Sequence, residues 1–257
     1  MSHNLCNSFR ELALHIWYTI TLSRDISFQL KEETFTDGNL FMLKLRHPDE
    51  IYVEAFNKIE EGANGADWEW WINDRGGRWL GLRVQAKIIN LKEDEFAHLH
   101  YQGKNSIPQS EKLIMQAEAN KLFPCIPVYC LYLTTDISDI TIYPDPLAAS
   151  LHGCSILSAF QVKGFRATKE KRLEYLWPFL KPWHSLICHN PGQSIIDHLD
   201  RFARSYLMQD KQTETPLWIN NPPPYVYSLI EGGTIKQSDN QKPLDLAGVV
   251  VIRTQPE

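Results

Sequence analysis

Two short segments rich in tryptophan and aliphatic residues, separated by one tight turn, constrain the fold of this chain more than any other feature. Residues 66–73 and 79–89 flank the tetrapeptide Asp74-Arg75-Gly76-Gly77. A turn-forming, glycine-rich tetrapeptide between two such runs predicts a β-hairpin. The hairpin fixes which side chains share a face of the sheet.

Alternation along the two strands separates a polar face from an aromatic one. Successive side chains of a strand point to opposite faces, so Asp67, like Glu69 and Trp71, is expected on one face, and Trp68 and Trp70 are expected to pack the other face against a helix.

In the second strand Gln85 and Lys87 share a face within an apolar segment. A buried lysine is costly without a partner, and a carboxylate on the neighbouring strand, such as Asp67, would supply one. Carboxylate and amide oxygens close to a lysine can form a small site for a hard cation. The alternative from spacing alone is a simple cross-strand ion pair between Asp67 and Lys87.

The order of the remaining elements predicts an α/β protein with a mixed central sheet and flanking helices. A nuclease-like α/β core is predicted over residues 1–135, and residues 136–257 are predicted to form a C-terminal α+β extension packed on it. The predicted core consists of helices over 8–24 and 30–46 (with an interruption at Gly38), a strand over 51–59, the hairpin, a helix over 109–123 and a strand over 126–134. Further predictions are a loop over 136–146, a strand or short helix over 154–162, helices over 169–180 and 194–208, an extended segment over 220–224 and a strand over 248–253.

Composition restricts the class of protein and its partners. The 257 residues are 43% hydrophobic and 22% charged, which excludes a disordered or fibrous chain. The net charge of -5 gives no general attraction to nucleic acid, so any such contact requires a locally basic groove. The five cysteines show no metal-site spacing and predict reduced core thiols. With no signal peptide or membrane-spanning run evident, a cytoplasmic protein without membrane contact is expected.

The motif residues resemble those of a known superfamily. Asp67 followed by Gln85-Ala86-Lys87 on the next strand is similar to the PD-(D/E)XK nuclease superfamily in its Gln-x-Lys variant, seen in some type IV restriction endonucleases. The strings GADWEWW and RVQAK resemble an uncharacterised bacterial family of the same superfamily. The resemblance covers residues 30–134 and implies a restriction-endonuclease-like core of one helix, three strands, a helix and a fourth strand.

Site roles follow from this resemblance residue by residue. Asp67 would be the main ligand of Mg²⁺ or Mn²⁺, Gln85 the second ligand through its carbonyl, and Lys87 the residue that orients the attacking water. Glu33, from the preceding helix, is the candidate further catalytic carboxylate and ligand, and Glu69 is a candidate additional ligand. Two features depart from the superfamily pattern: Ala66 precedes Asp67 in place of proline, and Gln85 replaces a carboxylate.

The resemblance implies a Mg²⁺-dependent nuclease that hydrolyses DNA, in a setting of bacterial restriction or phage defence, and leaves a homo-oligomer open. The negative net charge and the neutral Gln85 favour a second interpretation, a catalytically inactive nuclease-fold module that binds nucleic acid or another partner. A third interpretation is a small-molecule-binding α/β protein, which predicts a deep apolar pocket away from Lys87.

Overall fold

The computed structural model describes residues 4–56, 67–74, 76–104, 106–135, 145–208, 216–233, 235 and 246–254. One sheet contains strands β1 Ile51–Ala55, β2 Trp68–Asn73, β3 Trp79–Ile88, β4 Cys125–Tyr132, β5 Cys154–Ser158, β6 Lys181–Pro182 and β7 Gly248–Arg253. The α-helices are α1 Leu5–Asp25, α2 Glu32–Arg46, α3 Gln109–Ala119, α4 Pro146–Ser150, α5 Ala159–Thr168, α6 Leu173–Leu176, α7 Ile195–Tyr206 and α8 Pro224–Ile230. The strands lie in the order β1-β7-β2-β3-β4-β5-β6 and include parallel and antiparallel pairs. The predicted α/β class, a mixed sheet with flanking helices, is confirmed.

The hairpin forms in the predicted place. β2 and β3 pair antiparallel from Trp68 opposite Val84 to Asn73 opposite Trp79. The ring of Trp70 lies 6.3 Å from that of Phe9 on α1, so the face opposite the polar residues is indeed packed against a helix. This aromatic contact holds the hairpin in a fixed position relative to the N-terminal helix.

Helix α1 is longer than the predicted segment 8–24. Helix α2 begins two residues later than predicted and is uninterrupted. The side chain of Asn4 caps α1 by accepting a hydrogen bond from the backbone N–H of Cys6, a common way to satisfy a free N–H at a helix start. α2 continues through Gly38, and the interruption predicted there is absent. Glycine costs a helix only about 1 kcal/mol, and the burial of Phe35 and Leu43 on the same helix outweighs that cost.

The C-terminal strand enters the middle of the sheet. β7 lies between β1 and β2, antiparallel to the first and parallel to the second. At Gly248 an added Cβ would lie 2.3 Å from Cζ3 of Trp68, so glycine permits this close approach. Residues beyond 135 therefore contribute β5, β6 and β7 to the same sheet as the predicted core, and the division at 135 remains a prediction.

Elsewhere the second half follows the sequence less closely. Residues 169–180 form only the short α6 and a 3-10 turn instead of one helix, because Lys169 adopts a left-handed conformation, φ 58°, that ends α5. α3 ends at Ala119 rather than at 123. Residues 154–162 are a strand followed directly by a helix, and α7 begins after Ser194 as predicted. Most of the predicted 136–146 loop and the end of the 51–59 strand lie outside the described residues.

The cysteine prediction is wrong for two of the five residues. Cys6 and Cys188 form a disulfide across 182 residues of sequence, with their Cα atoms 5.0 Å apart. Cys125, Cys130 and Cys154 are free thiols, as expected. The spacing of Cys6 and Cys188 in the sequence does not indicate a disulfide. It is the fold that brings α1 next to the segment that follows Leu186.

Candidate active site

The first part of the candidate site is a carboxylate held at the end of the hairpin. Asp67 immediately precedes β2, and its backbone N–H donates to the carbonyl of Val84, 2.9 Å away. Its Oδ2 accepts hydrogen bonds from Nε2 of Gln85 at 2.6 Å and from the backbone N–H of Ala86 at 2.8 Å. Asp67 thus contacts the Gln-x-Lys strand through Gln85 and Ala86, whereas the carboxylate that pairs with Lys87 comes from α2 and not, as predicted, from the neighbouring strand.

The second part is an ion pair between β3 and the first turn of α2. Nζ of Lys87 lies 3.7 Å from Oε1 of Glu32, and the Lys87 side chain is only 8% exposed. Burial raises the pKa of Glu32 from its ordinary value of 4.5 to about 7; Lys87 opposes this rise, whereas the negative charges of Asp67 and Glu33 add to it. Because Glu32 interacts electrostatically with both Asp67 and Lys87, the three side chains form one polar cluster with Gln85.

Glu33, the carboxylate predicted from α2, is exposed, and its neighbour Glu32 contacts Lys87 instead. The helix explains the difference. Residues three and four positions after Glu32 lie on its face of the helix, and these are Phe35 and Thr36, which contact Tyr132 of the sheet. Glu32 therefore points toward the sheet.

Glu69 belongs to a separate group of side chains. Its Oε1 accepts hydrogen bonds from Nε1 of Trp71, at 2.7 Å, and from the hydroxyl of Tyr225 on α8. Its Oε2 lies 3.5 Å from Nε of Arg83, and both side chains are less than 8% exposed. These partners of Glu69 differ from the groups that hold Asp67, which are the Gln85 amide and the backbone N–H of Ala86.

Sequence reasoning missed two residues that adjoin Gln85. Nε2 of Gln109, the first residue of α3, donates to Oε1 of Gln85 at 2.7 Å. Tyr129 lies directly opposite Gln85 in the β3–β4 register and is fully buried. Burial, together with the charge of Asp67, raises the pKa of Tyr129. The sequence indicated Gln109 only by its position, as a polar residue at the start of the helix that follows the strand of Gln85 and Lys87.

The oxygen atoms of this cluster can be compared with the ligands that a divalent cation prefers. The hydroxyl of Tyr129 and Oε1 of Gln109 are buried and find no hydrogen-bond partner among the described residues; they are two of nine such side-chain atoms there. The oxygens of Asp67, Glu32 and the Ala86 carbonyl are hard donors of the kind that Mg²⁺ prefers. Among the described residues, no group of three His, Cys, Asp or Glu side chains with metal-binding geometry occurs, so a cation here would also need amide or main-chain oxygens. By chemical type, the carboxylate oxygens and the main-chain carbonyl are suitable ligands for such an ion.

Comparison with known proteins adds a family but no activity. The model of a family described as a family of unknown function (DUF6615) matches residues 5–257. No curated protein and no solved structure matches the chain significantly. Within the described ranges, no helix has both the length and the apolar character needed to cross a membrane.

Proposed function

The chain belongs to DUF6615, a family of unknown function, and we propose that this member is a divalent-metal-dependent nuclease that hydrolyses phosphodiester bonds in DNA. The observation that carries the proposal is the cluster at the end of the hairpin. There Asp67 contacts Gln85 directly, and Lys87 and Asp67 both interact with Glu32. The neighbouring sequence strings resemble those of PD-(D/E)XK nucleases, and this resemblance supplies DNA as the substrate and restriction or phage defence as the setting.

Each residue has a distinct role in this proposal. Asp67, Gln85 and Glu32 would hold Mg²⁺ or Mn²⁺, which when bound supplies a Lewis acid beside the scissile phosphate. The ammonium group of Lys87 places positive charge in a water-poor site, where it stabilises negative charge that develops on the phosphate. The ion pair with Glu32 fixes the position of that ammonium group.

A local group of basic side chains supports nucleic acid as the partner. Lys163, Arg166 and Lys169 line a depression at the end of α5, where Arg166 forms an ion pair with Glu111 of α3. α3 packs beside α5 and begins at Gln109, which contacts Gln85. Since the net charge is -5, phosphate contacts require a basic surface of this kind.

One observation favours a second candidate function, a nuclease-fold module that binds nucleic acid without cleaving it. The amide nitrogen of Gln85, not its oxygen, faces Asp67, and Lys87 already has a carboxylate partner in Glu32. Both features are expected of a site in which these polar side chains bind one another and not a cation.

The two functions are separated by a plasmid-nicking assay with Mg²⁺ or Mn²⁺. Under the nuclease proposal the wild type nicks DNA, Asp67→Ala and Lys87→Met each lose at least about 100-fold of the rate, and the exposed Glu33→Ala control retains it. Nicking that survives both site substitutions would come from a contaminant and reject the proposal. A wild type that binds labelled DNA in fluorescence anisotropy but nicks with neither metal supports the non-catalytic module.

A further inference from the structure

Hydrogen-bond chemistry alone fixes the orientation of the Gln85 amide. The group faces Oδ2 of Asp67 at 2.6 Å and the carbonyl oxygen of Ala86 at 3.2 Å. A carboxylate and a carbonyl only accept hydrogen bonds, so the Gln85 atom that faces them is Nε2. Its Oε1 consequently faces Gln109 and accepts from Nε2 of that residue.

The same chemistry leaves one atom unused. The side chain of Gln109 donates one N–H of its amide to Gln85, and its own Oε1 is buried without a hydrogen-bond partner among the described residues. Leaving a buried acceptor unpaired costs free energy. A rearrangement that gives Oε1 of Gln109 a donor would remove this cost.

A cation held by Asp67 and Gln85 requires the opposite orientation of the Gln85 amide. Amide oxygen is a ligand of Mg²⁺ and amide N–H is not, so Oε1 of Gln85 must turn toward Asp67. Nε2 then turns toward Gln109 and needs an acceptor. Oε1 of Gln109 is an acceptor of that kind within the same side chain.

We propose that Gln109 is a positioning residue for cation binding, which donates to Gln85 in the metal-free protein and accepts from Gln85 in the metal-bound one. This inference rests on the proposed function only in requiring a divalent cation between Asp67 and Gln85. Because Gln109 supplies one hydrogen bond in each state, the amide of Gln85 reverses without losing its second partner.

Nuclear magnetic resonance of the ¹⁵N-labelled full chain, titrated with Mg²⁺, tests the reversal directly. The backbone N–H of Ala86, which donates to Asp67, reports cation binding independently. We expect the side-chain amide resonances of Gln85 and Gln109 to shift together with it. If the Ala86 signal moves to saturation while the Gln85 amide protons stay where they were, the reversal does not occur and the inference is overturned.

Calorimetric titration with Mn²⁺, without DNA, tests the role of Gln109. Gln109→Glu provides only an acceptor at neutral pH and therefore favours the metal-bound orientation. We expect Kd to fall at least about tenfold, which matches one hydrogen bond to a charged group. Met115→Glu, at an exposed position about 9 Å further along α3, adds the same charge and is expected to change Kd by less than about threefold. Gln109→Met removes one bond from each state, so its Kd should stay within about threefold of the wild type.

The outcomes distinguish this inference from the proposed function. Equal tightening by the two glutamate variants would assign the effect to charge alone and reject the role of Gln109. If Asp67→Asn, confirmed as folded by circular dichroism, binds Mn²⁺ as tightly as the wild type, the cation site itself is rejected and the proposed function falls with it. If that variant loses binding but Gln109→Glu binds no more tightly than its matched glutamate control, only the positioning role is lost.

Discussion

Replacing Glu32 by glutamine should make the protein more stable at neutral and alkaline pH while leaving it unchanged in acid. The pKa of Glu32 is raised from 4.5 to about 7, with burial as the largest cause. Between these two values the folded protein holds a proton that the unfolded chain has released. The folded state therefore binds more protons, and stability falls as pH rises through this interval. Below 4.5 both states are protonated and the penalty is absent.

The size of the effect follows from the same pair of values. At 1.36 kcal/mol per pH unit, the difference between 4.5 and about 7 corresponds to about 3 kcal/mol. The Glu32 side chain is 30% exposed, so solvent screening reduces this to about 2 kcal/mol. Glu32→Gln mimics the protonated carboxyl, and Lys87 then has the same neutral neighbour that it has in the wild type at low pH.

Urea unfolding in EDTA, followed by tryptophan fluorescence at several pH values, measures this difference. We expect the unfolding free energies of the wild type and Glu32→Gln to coincide near pH 4.5 and to differ by about 2 kcal/mol at pH 8. Glu33→Gln, a matched change at an exposed neighbour, should have a much smaller effect, because Glu33 contributes only a minor part of the rise in the pKa of Glu32. A constant difference at every pH, or an equal effect of Glu33→Gln, would refute a buried carboxylate at Glu32.

Three other substitutions test the packing around the sheet. Gly153→Ala should lower Tm sharply in differential scanning calorimetry, with a loss of at least about 3 kcal/mol, because an added Cβ would lie 2.0 Å from the carbonyl oxygen of Ala13. Cys6→Ser removes a cross-link between residues 182 positions apart, and chain entropy predicts a loss of up to about 5 kcal/mol in urea unfolding. The reduced wild type should match it, and unchanged stability in dithiothreitol would contradict a bonded Cys6–Cys188 pair. Tyr225→Phe removes a hydroxyl that donates to a buried carboxylate of β2 and should cost about 1.5–3 kcal/mol at pH 7, whereas a neutral effect would show that this hydrogen bond contributes nothing.

Features set by local periodicity were predictable from the sequence. Alternation of side chains placed Trp70 on the face of the sheet that packs on α1, and a turn-forming tetrapeptide located the hairpin. The choice between Glu32 and Glu33 was not accessible in the same way. Two consecutive carboxylates at a helix start differ by 100° of rotation, and the packing of Phe35 and Thr36 against the sheet sets that rotation.

Features that depend on distant segments had no local signal. The predicted strand at 248–253 is present, yet nothing in its run of valines states that it inserts between β1 and β2. The disulfide between Cys6 and Cys188 joins segments that are 182 residues apart in the sequence. Both depend on which elements come to lie side by side, and that is decided by the packing of the whole sheet.

The polar face of the hairpin also shows why a shared face does not imply a shared site. Asp67 and Glu69 are two residues apart and were both predicted as metal ligands. Asp67 is held by the side-chain amide of Gln85, which can turn its oxygen to a cation, and by the backbone N–H of Ala86, which only donates. Glu69 is held by the indole of Trp71 and the hydroxyl of Tyr225. The indole N–H of Trp71 only donates, so it offers no oxygen to a cation beside Glu69, whereas the Gln85 amide can offer one beside Asp67. The two carboxylates thus share a face of the strand but have different partners.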